Sequence, residues 1–127
     1  MLTTVSAFSG FSVDSIDAAL KFYRDTLGLT ARETPMGLEL DVTGGSPVFV
    51  YQKGDAHSPA SYTVLNLVVP DVDAAVVELA AAGVGLERYP GMPQDDDGVM
   101  RSTDPSEGPT IAWFTDPAGN VLSIIQG

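Results

Sequence analysis

The sequence predicts an α+β fold built from two tandem βαβββ modules, and three observations carry that expectation. The stretch "VDSIDAALKFYRDTLGL" from Val13 is echoed by "VPDVDAAVVELAAAGV" from Val69, with Ile16/Val72, Asp17/Asp73, Ala18/Ala74 and Ala19/Ala75 in step. In both copies an apolar segment runs into residues suited to cap a helix. Strand-like stretches separated by turn residues then follow each helical pattern.

In the first copy, Val5 to Val13 reads as a strand and Asp14/Ser15 as the cap of a helix, with Asp17 in its first turn. Ile16, Ala19, Leu20, Tyr23 and Leu27 recur at helical spacing, and Gly28 stands where a helix C-terminus wants glycine. Leu29 to Glu33, Gly37 to Asp41 and Pro47 to Lys53 read as three strands, the last two joined through Thr43-Gly44-Gly45-Ser46. Residues 54–61 read as a linker. The single domain 1–127 therefore divides into a first module at 1–53 and a second at 62–127.

The second copy repeats the order. Thr63 to Val69 is its first strand, Asp71 its cap, and Val72, Ala75, Val76 and Leu79 the buried stripe of its helix, which ends at Gly83. Gly85 to Tyr89, Thr110 to Thr115 and Val121 to Gln126 are its three strands. The intervening 91–108 stretch is long, polar and rich in Pro, Gly and Asp, a kind of loop that is either mobile or functional. Asp116-Pro117-Ala118-Gly119-Asn120 is a turn, and pairing Thr115 with Val121 across it sets Trp113 opposite Ser123.

Composition narrows the function classes. A chain of 127 residues supports one core, and no apolar run reaches the ~18 residues a membrane span needs. The first residues have no basic region ahead of an apolar block, so the expected location is the cytoplasm. Cysteine is absent, which removes disulfides, thiolate metal sites and cysteine nucleophiles. The net charge of -11, from 17 acidic against 6 basic side chains, repels phosphate backbones and anionic lipid. Neither a nucleic acid nor a membrane is expected as partner. Asp95-Asp96-Asp97-Gly98 lacks the alternating spacing and distal glutamate of a calcium loop. Gly44-Gly45 lies in a hairpin rather than before a helix, so no phosphate cradle is present. The one histidine, His57, lies in the linker, away from Ser123, and no nucleophile paired with a base is read.

The duplicated βαβββ unit, with "FYRDTLGL" after the first strand and "FTDPAGN" before the last, resembles the vicinal oxygen chelate superfamily of glyoxalase I, bleomycin-resistance proteins and extradiol dioxygenases. The resemblance implies curved mixed sheets around one cleft, the glyoxalase/bleomycin resistance fold. In the family's metalloenzymes, His, Glu or Gln side chains from the first and last strands of each module hold a divalent cation. By that resemblance the corresponding positions are Phe8, Val64, Ser123 and, by aligning "VFVYQ" with "LSIIQ", Phe49. Phenyl and isopropyl groups offer no donor to a metal, so no cofactor and no metal are expected and no reaction is assigned.

If these positions face the cleft, alternation brings Tyr51, Tyr62, Asn66 and Trp113 with them. The expected lining is Phe8, Phe49, Tyr51, Tyr62, Val64, Asn66, Trp113 and Ser123, apolar walls with a few hydrogen-bonding groups, which suits a small organic molecule. The same aromatics could instead close on one another as core. Met92 and Met100 would add adaptable contacts if the long loop folded over the opening. The expectation is a metal-free, small-molecule-binding protein of the glyoxalase/bleomycin-resistance type. The alternatives are a metal-dependent lyase or isomerase using Asn66, Gln52, Gln126 or His57, and an interaction protein with a filled cleft. The family dimerises through its sheets, so a homodimer is compatible with the resemblance.

Overall fold

The computed structural model describes residues 1–127 and divides into two compact units, 1–59 and 60–127. In the first, strand β1 (Gly10–Val13) leads into helix α1 (Ile16–Leu20), which continues as a wider π-type segment, Lys21–Thr26. Strands β2 (Thr30–Thr34), β3 (Gly37–Asp41) and β4 (Val48–Gln52) complete a mixed sheet in the order β1-β4-β3-β2, with β1 parallel to β4. Ser15 caps α1, its Oγ accepting from Ala18 N at 3.2 Å, as expected from the sequence. The π-type segment ends with Leu27 N donating to Phe22 O and Leu29 N to Tyr23 O, both at 2.9 Å, and Gly28 supplies the left-handed φ of 73° between them.

The second unit holds β5 (Thr63–Val69), helix α2 (Val72–Ala81), β6 (Ile111–Thr115) and β7 (Val121–Gln126), with the strands ordered β5-β7-β6. Asp71 caps α2 through Asp73 N and Ala74 N, and the expected hairpin register holds, with Thr115 opposite Val121 and Trp113 opposite Ser123. The first sheet buries one face, whereas β6 and β7 carry buried residues on both. Phe11, Val13, Leu38, Leu40, Val48 and Val50 form the first core together with Ala19 and Tyr23 of the helical layer. Leu122, Ile124, Ala112 and Phe114 form the second with Val72 and Leu79.

Two strand expectations need correction. Pairing in β1 begins at Gly10 rather than Val5; before it only Ser9 joins β4, its carbonyl accepting from Phe49 N at 2.9 Å, so Phe8 lies outside the strand. Gly85 to Tyr89 is not a strand. Glu87 N reaches Trp113 O at 2.7 Å, but the carbonyl of Glu87 and the amide of Tyr89 are taken by the Gln94 side chain at 2.8 and 2.9 Å. A side-chain amide thus replaces the ladder, and the second sheet stops at β6. The 91–108 stretch is tied down as well. Met100 exchanges both backbone bonds with Ile111 at 2.9 and 3.0 Å, and Val99 is buried. No helix is long and apolar enough to cross a membrane.

Candidate functional site

The face of the first sheet opposite its core carries an aromatic ladder. Phe49 and Tyr51 sit two residues apart on β4, so both project to the side away from buried Val48 and Val50. Their rings stack at 5.7 Å with an interplanar angle of 17°. Phe8, though outside β1, sets its ring edge-on to Phe49 at 6.3 Å. Phe8 is 71% exposed and Tyr51 39%, so the ladder faces solvent instead of closing into a core. The register partner of Phe49 on β1 is Gly10, so that strand places no side chain directly opposite the ring. The other flank of Phe49 is Glu39, in register on β3 and ion-paired with Arg32 of β2. Gly37, at φ 151°, follows a similar logic of close approach. A Cβ there would stand 2.2 Å from the carbonyl oxygen of Val50.

Ser12 is in register with Tyr51 on the same face, and its Oγ lies 2.8 Å from His57 Nδ1. From the sequence His57 is expected in the linker, away from Ser123 and from the family's metal positions. Folding returns it to β1 because Lys53 N docks on Val13 O at 2.9 Å and the short helix Gly54–Ala56 then turns the chain back.

In the second unit the open face is more closed. Ser123 is fully buried and donates to Asn66 Oδ1 at 2.6 Å, while Asn66 itself is exposed. Trp113, in register with Ser123, is 7% exposed and packs edge-on against Tyr89 at 5.7 Å. Burial pushes the Tyr89 phenol up, and the Glu87 carboxylate adds to that shift. A register shift between Thr63 and Leu65 leaves Val64 without a partner on β7, and it is half-buried. Tyr62, 71% exposed, precedes the strand. The structure therefore gathers Phe8, Phe49 and Tyr51 on one face and Asn66, Ser123 and Trp113 in one row of the other sheet. It keeps Tyr62 and Val64 out of that row. Met92 is exposed, whereas Met100 is committed to the pairing with Ile111.

The residues that the resemblance assigns to the family's metal positions do not fit a divalent cation. Phe8, Phe49 and Val64 present only carbon, and the hydroxyl of Ser123 is bonded to Asn66. Nowhere do three or more His, Asp or Glu side chains converge as a metal would require. The alternative donors are engaged locally too. Gln52 Oε1 accepts from Ile16 N and Gln126 Oε1 from Val72 N, both at 2.9 Å, and Gln126 Nε2 also donates to Pro70 O. Asn66 and His57 are in the pairs already described.

The long loop has its own polar architecture. Asp95 accepts from the amides of Asp97 and Val99 at 2.9 and 3.0 Å and from Arg101 Nε at 2.8 Å. Arg101 also grips Asp73 of α2 at 2.6 Å, fastening the loop to the helix. The Val99 amide first, then the Arg101 guanidinium, hold the Asp95 carboxyl below the usual range, and Arg101 does the same for Asp73.

Comparison with known proteins agrees with this architecture. The glyoxalase/bleomycin resistance protein/dioxygenase superfamily model matches residues 7–124. A glyoxalase/bleomycin resistance protein from Streptomyces sp. CB03234 is 23% identical, with TM-score 0.64 over 94% of this chain and 97% of its own. TnmS3, an antibiotic binding protein from the same strain, is 24% identical, with TM-score 0.64 over 98% of each chain. FosX, the genomically encoded fosfomycin resistance protein of Listeria monocytogenes, is 12% identical, with TM-score 0.69 over 100% of this chain and 95% of its own. At these identities the likeness is one of fold. No curated protein matches the chain by sequence. With the family model spanning both units, the chain belongs to the glyoxalase/bleomycin resistance protein/dioxygenase superfamily.

Proposed function

We propose that this protein binds a small aromatic organic molecule without a metal ion, using the open faces of its sheets. The observation that carries the reading is the ladder Phe8–Phe49–Tyr51, three rings in contact, the outer two exposed and Phe49 half-buried, with Phe8 and Phe49 where the resemblance would put metal donors. Leaving such rings uncovered forgoes burial worth roughly 25 cal/mol per Å² of apolar surface, and a stacked ligand ring recovers it. Aromatic pairing adds about 0.5–1.5 kcal/mol for each well-placed ring. The charge of -11 favours a neutral or cationic ligand over an anionic one. That TnmS3 is an antibiotic binding protein is consistent with this class of ligand. In the second unit the amide of Asn66, steadied by Ser123, is the exposed polar group of the corresponding face.

Affinity selection from a mixture of aromatic natural products, read by mass spectrometry, tests the proposal on wild type, Phe49→Ala and Tyr51→Ala. The expected result is compounds retained by wild type and released at least tenfold more readily by either variant. Retention unchanged in both variants, with the fold intact, contradicts it.

We also infer a homodimer, supported by large apolar side chains left exposed on both units, among them Phe8, Met36, Tyr62 and Val68. Sedimentation equilibrium is expected to give twice the 13.3 kDa chain mass, and a monomer at all concentrations contradicts the inference.

A further inference from the structure

We propose that two copies of this chain join along the outer edge of β5, the strand pairing antiparallel with its twin about a twofold axis through Asn66. The proposal rests on the homodimer inferred above and names its interface. β5 stands at the margin of its three-stranded sheet, with β7 as its one neighbour. None of its residues is buried, whereas Leu122, Ser123 and Ile124 in the middle of β7 are. One bond fixes the direction of its backbone groups. Val69 O accepts from Gly127 N at 2.9 Å, so Val69 faces β7, and by alternation so do Leu67 and Leu65. Asn66 and Val68 therefore turn their N–H and C=O groups to the outer side, where an unpaired edge is a template for a further strand.

The order of side chains determines which strand fits. Outward from Asn66 stand Leu65 and Leu67, then Val64 and Val68, then Thr63 and Val69, the last two alike in shape. A strand with this order is complementary to itself. Antiparallel pairing about Asn66 sets Leu65 opposite Leu67 of the partner subunit and Val64 opposite Val68 of the partner subunit. Asn66, with its backbone groups outward, then meets Asn66 of the partner subunit as a hydrogen-bonded pair, each N–H donating to the other's carbonyl. Such an interface is isologous and closes at two copies. Charge agrees with it. Each copy carries a net -11, so two copies approach most readily where charge is absent, and residues 58–70 hold no Asp, Glu, Lys or Arg. The lysines and prolines that commonly guard an open edge are missing from Thr63–Val69, and Pro70 stops the pairing at the strand's end. Pairing at this edge leaves the aromatic face of the first sheet free.

The test uses the full chain, in which an introduced cysteine is the only one. Across the twofold, Asn66→Cys lies about 5.5 Å from its counterpart between Cα atoms, within disulfide range. Val68→Cys lies about 14 Å along the strands from its own counterpart. Mild oxidation, read by non-reducing electrophoresis, is expected to cross-link Asn66→Cys about tenfold faster than Val68→Cys. Because Asn66→Cys also removes the acceptor of Ser123, the double variant Val64→Cys/Val68→Cys is run beside it. It is expected to cross-link where neither single variant does. Val68→Lys, at a position 69% exposed, is expected to weaken the dimer at least tenfold in sedimentation equilibrium while leaving the circular dichroism spectrum unchanged. A wild-type dimer that Val68→Lys leaves intact, with no cross-link in Asn66→Cys or the double variant, overturns this interface and leaves the homodimer standing. A wild type that is monomeric at all concentrations overturns both.

Discussion

Ser123 shows how a residue acquires its role from its neighbours. Fully buried in an otherwise aliphatic strand, it donates to Asn66 at 2.6 Å and so fixes the one exposed amide on the second sheet's open face. Ser123→Ala is expected to lower stability by about 0.5–1.5 kcal/mol in urea denaturation, the net worth of one hydrogen bond, because water can reach the exposed Asn66 and replace the lost donor. A loss above about 3 kcal/mol would mean that the hydroxyl supports packing beyond that bond. The hairpin pairing that sets Trp113 beside Ser123 was legible in the sequence, since a short turn and strict alternation leave one sensible register. The Asn66 partnership was not, because the shift at Val64 moves β5 by one position, and without it Leu65 would stand beside Ser123. Nothing in a run of Thr-Val-Leu announces a bulge. The Ser12–His57 pair escaped for a similar reason, since it joins groups brought together only by tertiary folding.

The two modules share an element-level device that explains a polar residue at the end of each last strand. Gln52 and Gln126 occupy equivalent positions of "VFVYQ" and "LSIIQ", and each accepts from the first amide of its own module's helix, Ile16 N and Val72 N, at 2.9 Å. The strand end thereby satisfies a helix N–H that has no partner within the helix. Gln52→Leu and Gln126→Leu are each expected to cost about 0.5–2 kcal/mol, the range of a lost N-cap. The denaturation midpoint should fall without a change in slope, and an unchanged midpoint would show that Ser15 and Asp71 cap the helices unaided. Helix starts were readable because capping chemistry is local, and the bounds of β5 and β7 followed from alternation. The strand expected at Gly85 to Tyr89 failed because a distant side chain, Gln94, competes for its backbone groups. Propensity carries no record of such competition. The shortening of β1 has the same character, since Val5 to Ser9 has strand-like composition and lacks a ladder partner beyond Ser9.

At the scale of the whole molecule, an excess of negative charge coexists with one cationic fastening. Arg101 joins Asp95 of the long loop to Asp73 of α2, and both carboxyls sit below their ordinary range because of it and, for Asp95, chiefly the Val99 amide. A carboxyl lowered in the folded state adds stability that is present above its unfolded pKa of about 4 and lost as pH falls through the folded value. Melting temperature is therefore expected to decline below about pH 4 more steeply in wild type than in Arg101→Gln. The difference should shrink in high salt because the groups are exposed. Parallel pH profiles would show that Arg101 does not fasten the loop to the helix. The resemblance assigns the metal-holding positions to Phe8, Phe49, Val64 and Ser123, which are two phenyl rings, an isopropyl group and a committed hydroxyl. Elemental analysis of the purified, dialysed protein, with thermal melts in added nickel, zinc, manganese and iron(II), decides whether these positions hold metal. The expected result is no stoichiometric metal and unchanged melting. One equivalent of metal per chain, with stabilisation approaching the roughly 2.7 kcal/mol expected at a hundred times the dissociation constant, would contradict it.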